Sequence, residues 1–127
     1  MGKEKQYMTS CLLTSRCVPC EGGIPPLTKE EVETLLREVP GWAASENQKI
    51  WREFTFKNFR AALAFVNKAA ELAERERHHP DILIHNYRKV RIELSTHAID
   101  GLSQNDFIMA AKINAISLPV KRQTSND

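Results

Sequence analysis

The sequence predicts an α+β domain: a four-stranded antiparallel sheet with helices packed on one face, in the order α-β-β-α-β-β-α. Three observations carry this prediction. Apolar residues recur at helical spacing in three separate stretches. Two pairs of short runs rich in β-branched and aromatic residues lie between those stretches. The connections within each pair are of hairpin length, which favours antiparallel pairing over crossovers. With 127 residues the chain is expected to form one domain with its own core. We expect a flexible Cys/Gly/Pro-containing leader over 1–26, the domain over 27–117 and a polar tail over 118–127.

Thr28 to Val39 reads as the first helix. Thr28 and Glu31 form a capping box, and Val32, Leu35, Leu36 and Val39 make one apolar stripe. Pro40-Gly41 ends it. Trp42 to Phe56 reads as two strands around the turn Ser45-Glu46-Asn47-Gln48. Asn58 caps a long helix that runs to about Arg77. Its stripe of Phe59, Leu63, Val66, Ala70 and Ala73 is broadened by Ala62, Phe65, Ala69 and Leu72. That width suits a helix packed on a sheet and on a partner. His78-His79-Pro80 stops it, because the residue before a proline disfavours the α region. Asp81 to Ile84 and Tyr87 to Thr96 read as strands, with His85-Asn86 as the turn between them. Val90, Ile92 and Leu94 alternate with Arg91, Glu93 and Ser95, the pattern of a half-buried strand. Gly101-Leu102 turns the chain. Ser103 and Asp106 resemble a shortened capping box that opens a last helix reaching about Ile116.

Composition excludes several classes. Hydrophobic residues are 42% and charged residues 27%, an ordinary soluble balance. Eighteen Lys and Arg oppose sixteen Asp and Glu, for a net charge of +2. Basic and acidic residues are interleaved, with no aromatic platform between them, so no nucleic-acid partner is expected. No apolar run approaches a membrane span, so no membrane partner is expected either. Leu12-Leu13 is too short for a signal peptide, which points to the cytoplasm. The odd count of cysteines (Cys11, Cys17, Cys20) argues against a disulfide framework. Cys17-Val18-Pro19-Cys20 has the spacing of half a zinc site or a redox pair. It sits in a Gly/Pro-rich leader with no second C-x-x-C, so an extended leader with reduced thiols is the simpler reading.

All four histidines, His78, His79, His85 and His97, fall within twenty residues. A helix end carrying His78 and His79 can meet a strand end carrying His97 in one cleft. Imidazole titrates near working pH, so such a cluster can move protons. Glu74 lies one helical turn before His78, within reach of whatever His78 touches. A His pair at a helix C-terminus is also simply a favourable dipole partner. His85 reads as a solvated turn residue and Asp106 as a helix cap. Three His and a Glu can ligate zinc, but no familiar metal spacing is present, so no metal and no cofactor are expected. Spacing alone gives a possible proton-transfer site and names no substrate.

The order Glu74-x-x-x-His78-His79-Pro80, then Tyr87, His97 and Asp106, resembles the signature of the pterin-4a-carbinolamine dehydratases. Ser95-Thr96-His97, Gly101-Leu102-Ser103 and Pro40-Gly41-Trp42 are also similar to that family, over roughly Leu27 to Ile116. The leader Cys17 to Gly23 resembles leaders of bacterial members. The Pro80 to Tyr87 connection is one residue longer than in animal members, a length the family also uses.

The resemblance implies a hydro-lyase that removes water from 4a-hydroxytetrahydropterin to give quinonoid dihydropterin, which serves tetrahydrobiopterin recycling for aromatic amino acid hydroxylation. It implies His78, His79 and His97 as catalytic and substrate-contacting imidazoles, with His78 and His97 as the proton-transfer pair. It implies Glu74 as acceptor for the donor edge of the pterin, and Pro80, Ser95 and Thr96 as pocket wall and backbone contacts. Members form dimers that pair into tetramers, so a homo-oligomer is expected. Animal members also act as a dimerisation cofactor for a homeodomain transcription factor, which leaves a protein-binding module as one alternative. A degenerate pterin-binding module is another, against which the intact histidines argue.

Overall fold

The structure, a computed structural model, describes residues 12–17 and 25–124, with side chains described as far as 117. Helix α1 (Lys29–Leu36) is followed by β1 (Ala43–Ser45), β2 (Lys49–Thr55), α2 (Phe59–Glu76), β3 (Asp81–His85), β4 (Lys89–Leu94), a 3₁₀ turn (His97–Ile99) and α3 (Gln104–Thr124). The four strands form one antiparallel sheet in the order β1-β2-β4-β3. The expected α+β architecture is thus the observed one.

The helices cover one face because strand parity sends apolar side chains to that side only. Ile50 pairs with Leu94 and Phe54 with Val90 across β2 and β4, while Ile82 pairs with Ile92 and Ile84 with Val90 across β3 and β4. Ile50, Val90 and Ile92 are fully buried. Phe65 of α2 inserts between Phe54 and Phe56, with ring centroids 4.7 and 4.9 Å away. Such tilted contacts suit the ring quadrupoles and lock α2 onto the sheet.

The caps follow the sequence. Thr28 and Glu31 form the reciprocal capping box of α1. The Asn58 side chain accepts the Ala61 amide at the start of α2. Glu46 and Asn47, both at positive φ, make the first hairpin turn. At the second hairpin, positive φ falls on Asn86 and Tyr87. His85 therefore stays in β3, opposite Lys89, and β4 begins two residues later than expected. On the open face its Nε2 meets Glu53 Oε1 at 2.8 Å, so His85 is a hydrogen-bonded strand residue rather than a solvated turn.

Arg52 is the one polar side chain on the inward row of β2. Its guanidinium lies 4.4 Å from the Phe54 ring centre and donates to Pro40 O and to Asn114 Oδ1. Trp42 Nε1 donates to the same Asn114 oxygen at 2.8 Å. These bonds tie the end of α1 to β2 and α3. Gly41, at φ +92°, sits beneath that guanidinium, where a Cβ would approach it to 2.6 Å. Helix α3 runs to Thr124, past Ile116, where the apolar pattern ends.

Candidate active site around His78 and Asp106

Two chain ends converge on the site. The first is the end of α2, where Arg77 adopts the left-handed conformation (φ 57°, ψ 38°). His78 N–H then donates back to Ala73 O at 3.2 Å, as in a Schellman motif. This reversal takes His78 off the helical row that Glu74 shares, so the one-turn relation between them is broken. Glu74 instead holds His79, Oε2 to Nε2 at 2.7 Å, with both side chains largely exposed (77% and 62%).

The second is the segment from Thr96 to Asp106. Thr96 and Gly101 exchange backbone hydrogen bonds in an isolated bridge, which folds His97 to Ile99 into a 3₁₀ turn. The Gly101 backbone packs on Pro26, where an added Cβ would lie 2.8 Å from Pro26 Cβ. Leu27 N–H donates to Leu102 O beside it. Gly101→Ala is therefore expected to cost about 1–3 kcal/mol by overpacking. Chemical denaturation will measure the loss, and an unchanged midpoint would remove Pro26 from the support of this loop.

Between these ends lies one buried carboxylate. Asp106 is fully buried, and its Oδ1 is 2.6 Å from His78 Nε2. Its Oδ2 accepts Thr96 Oγ1–H at 2.8 Å and the Ser103 backbone N–H at 3.0 Å. As a carboxylate Asp106 only accepts, so His78 carries its proton on Nε2 when neutral. That assignment leaves Nδ1 as the position that gains or loses a proton. Thr96 has one hydroxyl proton and gives it to Asp106. Ser103 Oγ, 2.7 Å away, is therefore the donor to Thr96. The arrangement is an oriented imidazole with a rigid anionic partner, able to stabilise an imidazolium. At 12% side-chain exposure, His78 still reaches solvent.

The sequence-predicted residues separate accordingly. His78 sits at the centre of this network. His97 follows Thr96 directly and is exposed, and no other described side chain hydrogen-bonds to its ring. Pro80 and Ser95 are half-buried beside these ends. Thr96 faces inward. It is 4% exposed, with its hydroxyl on Asp106 and Ser103 and its backbone on Gly101, so it supports the site from behind. Asp106, read from sequence as a cap, does cap: it makes the reach-back half of a capping box to Ser103. Its other oxygen orients His78. The signal for that second role was its place in the signature.

Of the leader cysteines only Cys17 is described; Cys11, Cys20 and the 18–24 stretch lie outside the described residues. Cys17 is half-buried, and its thiol is pushed up to about 12 by burial first and the nearby Glu76 carboxylate second. A redox thiolate needs the opposite environment. The stability sign follows. The folded chain holds the thiol proton more tightly than the unfolded chain, whose thiol titrates near 9.0. This contribution is complete below pH 9 and is lost as pH rises from about 9 to 12. The denaturation midpoint should fall over that window, and less steeply in Cys17→Ala; equal slopes would contradict the burial. Among the described residues no group of three or more His, Cys, Asp or Glu is placed to hold a metal ion. No described helix is long and apolar enough to cross a membrane.

Comparison with known proteins adds an independent finding. The family profile described as pterin 4 alpha carbinolamine dehydratase matches residues 25–116. A protein of Methylococcus capsulatus is 51% identical over 112 residues, covering 87% of this chain and 97% of its own. One of Nitrosomonas europaea is 52% identical over 108 residues, covering 84% and 94%. Both carry the provisional name pterin-4-alpha-carbinolamine dehydratase. A crystal structure from Brucella melitensis, titled transcriptional coactivator/pterin dehydratase, superposes with a TM-score of 0.67 at 38% identity, covering 72% of this chain and 97% of that one.

Proposed function

The chain belongs to the pterin-4a-carbinolamine dehydratase family of hydro-lyases, and from that premise we propose that it dehydrates 4a-hydroxytetrahydropterin at the site around His78. The observation that carries this reading is the 2.6 Å bond between His78 Nε2 and the fully buried Asp106. It supplies an imidazole held in one tautomer, which a proton-transfer step requires.

The reaction needs two proton transfers and no change of oxidation state. A general acid protonates the C4a hydroxyl, which leaves as water when the N5 lone pair forms the C=N bond. A base then takes a proton from the cationic ring to give the quinonoid dihydropterin. His78 and His97 are the pair for these transfers. Proton release to His78 Nδ1 would be favoured by Asp106, which stabilises the imidazolium across the ring. His79 would contact substrate, steered by Glu74. The exposed Glu74 carboxylate can also accept the donor edge of the pterin. Pro80 and Ser95 would form the pocket wall. Domain limits of 27–117, with 1–26 as a leader and the remainder as a tail, accompany this reading, although the described part of the leader, 12–17, packs on the domain through Leu12 and Cys17.

Its place would be tetrahydrobiopterin recycling beside an aromatic amino acid hydroxylase in the cytoplasm. The protein would act as a dimer that pairs into a tetramer. Phe59 and Leu63, 49% and 38% exposed on α2, support an apolar interface there. Light scattering tests that assembly, and a strict monomer at micromolar concentration would refute it. The decisive experiment is a stopped-flow assay in which a hydroxylase generates the 4a-hydroxypterin in place. The protein should accelerate its decay; decay at the uncatalysed rate would sink the assignment.

A further inference from the structure

Glu76 is the last residue of α2, two positions before His78, and its side chain is only 4% exposed. A carboxylate at a helix C-terminus opposes the dipole, and burial adds a further cost. Burial by itself raises its affinity for protons. The Cys17 amide, Lys112 and Arg16 together outweigh that and hold it below the usual carboxylate range. The bonds are specific: Cys17 N–H to Oε1 at 2.8 Å, Lys112 Nζ to Oε2 at 3.1 Å and Arg16 Nε to Oε2 at 3.5 Å. Lys112 lies on α3, so Glu76 joins the end of α2, the body of α3 and the segment 12–17.

That segment crosses the junction on which the site depends. Leu12 is 1% exposed within the core, and Cys17 Sγ contacts Asn105 O at 3.6 Å. Asn105 immediately precedes Asp106. The segment therefore ends against the residue before the carboxylate, and Glu76 anchors it two residues before the imidazole. An open groove of about 400 Å³ lies between the segment and the two helices, lined by Leu13, Arg16, Leu72, Glu76, Lys112 and Ile116, so the polar anchor borders solvent-accessible space beside the buried Leu12.

We propose that Glu76 is a positioning residue: it latches segment 12–17 across the α2–α3 junction and thereby sets the His78–Asp106 geometry. The catalytic meaning of the latch rests on the dehydratase reading; the geometric claim does not. Two readouts on the full chain keep them apart. The first is geometric: the imidazole ¹⁵N signals of His78, and the iodoacetamide labelling rate of Cys17 resolved by peptide mapping. In Glu76→Leu, Cys17 labelling should rise about tenfold or more as the segment opens locally. The His78 signals should shift while those of His85 stay fixed. The second is kinetic: kcat should fall about tenfold with KM within twofold, since the oriented proton carrier is displaced rather than removed. Glu76→Gln, which keeps an acceptor for the Cys17 amide, should restore most of both.

Faster Cys17 labelling with unmoved His78 signals overturns the proposal, and so does unchanged labelling. Shifted His78 signals in a protein whose wild type shows no dehydratase activity would uphold the latch and sink the functional reading alone. Should Glu76→Leu fail to fold, Lys112→Met removes one anchor while leaving the carboxylate, and the same two geometric readouts should move in the same direction by less.

Discussion

His78→Gln should lower kcat for carbinolamine dehydration by about 10²–10⁴-fold, the range expected for loss of one positioned acid or base. Glutamine is the informative replacement. Its side-chain amide can still donate to Asp106 Oδ1, so the buried carboxylate keeps a partner. It has no group that takes up a proton near pH 7, so the chemistry goes while the support stays. Thermal stability should therefore change little. Alanine would confound the two effects, because an unpartnered buried acceptor costs about 1–3 kcal/mol by itself. His79→Gln should lose far less, since His79 and Glu74 are both largely solvent-exposed and screened. His85→Gln should be close to wild type, because its Glu53 contact lies on the open face of the sheet. Stopped-flow rates for the three variants, compared at matched stability, test this order. Near-normal turnover in His78→Gln would remove His78 from the chemistry.

The fold was legible because its signals are local. The Thr28–Glu31 box, the Asn58 cap and the alternation of Val90, Ile92 and Leu94 each act within a few residues, and each element formed around its signal, with α1 and β4 a few residues shorter than expected. The site was legible only as a set of residue types. His78 stands out by type, and helical spacing puts Glu74 within reach of whatever it touches without naming its partner. That spacing rule fails once Arg77 turns left-handed, and a single arginine gives no sign of doing so. The true partner, Asp106, lies 28 positions away and reaches His78 through tertiary packing. Thr96 shows the same limit: nothing near it in sequence reveals that its hydroxyl will meet Asp106, ten positions on, once the bridge to Gly101 forms. Glu76 stands in the dense run Glu71, Glu74, Arg75, Glu76 and Arg77, for which a solvated last turn is the simplest reading of the sequence. Alternating charges on a helix end do not reveal which one the rest of the chain will cover.

Asp106→Ala should be the most damaging single change at the site, and its effects should divide in a defined way. The substitution leaves three donors without an acceptor: the Thr96 hydroxyl, the Ser103 amide and His78 Nε2–H. Removing one partner from a buried charged network costs about 3–5 kcal/mol. For a domain of about 100 residues that is a fall of well over ten degrees in Tm, at about 4–8 °C per kcal/mol. Asp106→Asn separates stability from chemistry. The asparagine oxygen can still accept from Thr96 and Ser103, as Oδ2 does now. Its NH₂ group then faces His78, and a donor facing a donor is tolerated only if the imidazole moves its proton to Nδ1. The position that should exchange protons with the ring is then blocked in the neutral form. Activity should drop about 10- to 100-fold, as when a carboxylate that orients a histidine is lost elsewhere, while stability falls less than in the alanine variant. A double-mutant cycle with His78→Gln closes the argument. If Asp106 acts only through His78, the second substitution should add almost nothing to the kinetic loss of the first. Additive losses would mean that Asp106 serves the reaction by a separate route, and the oriented-imidazole account would then be wrong.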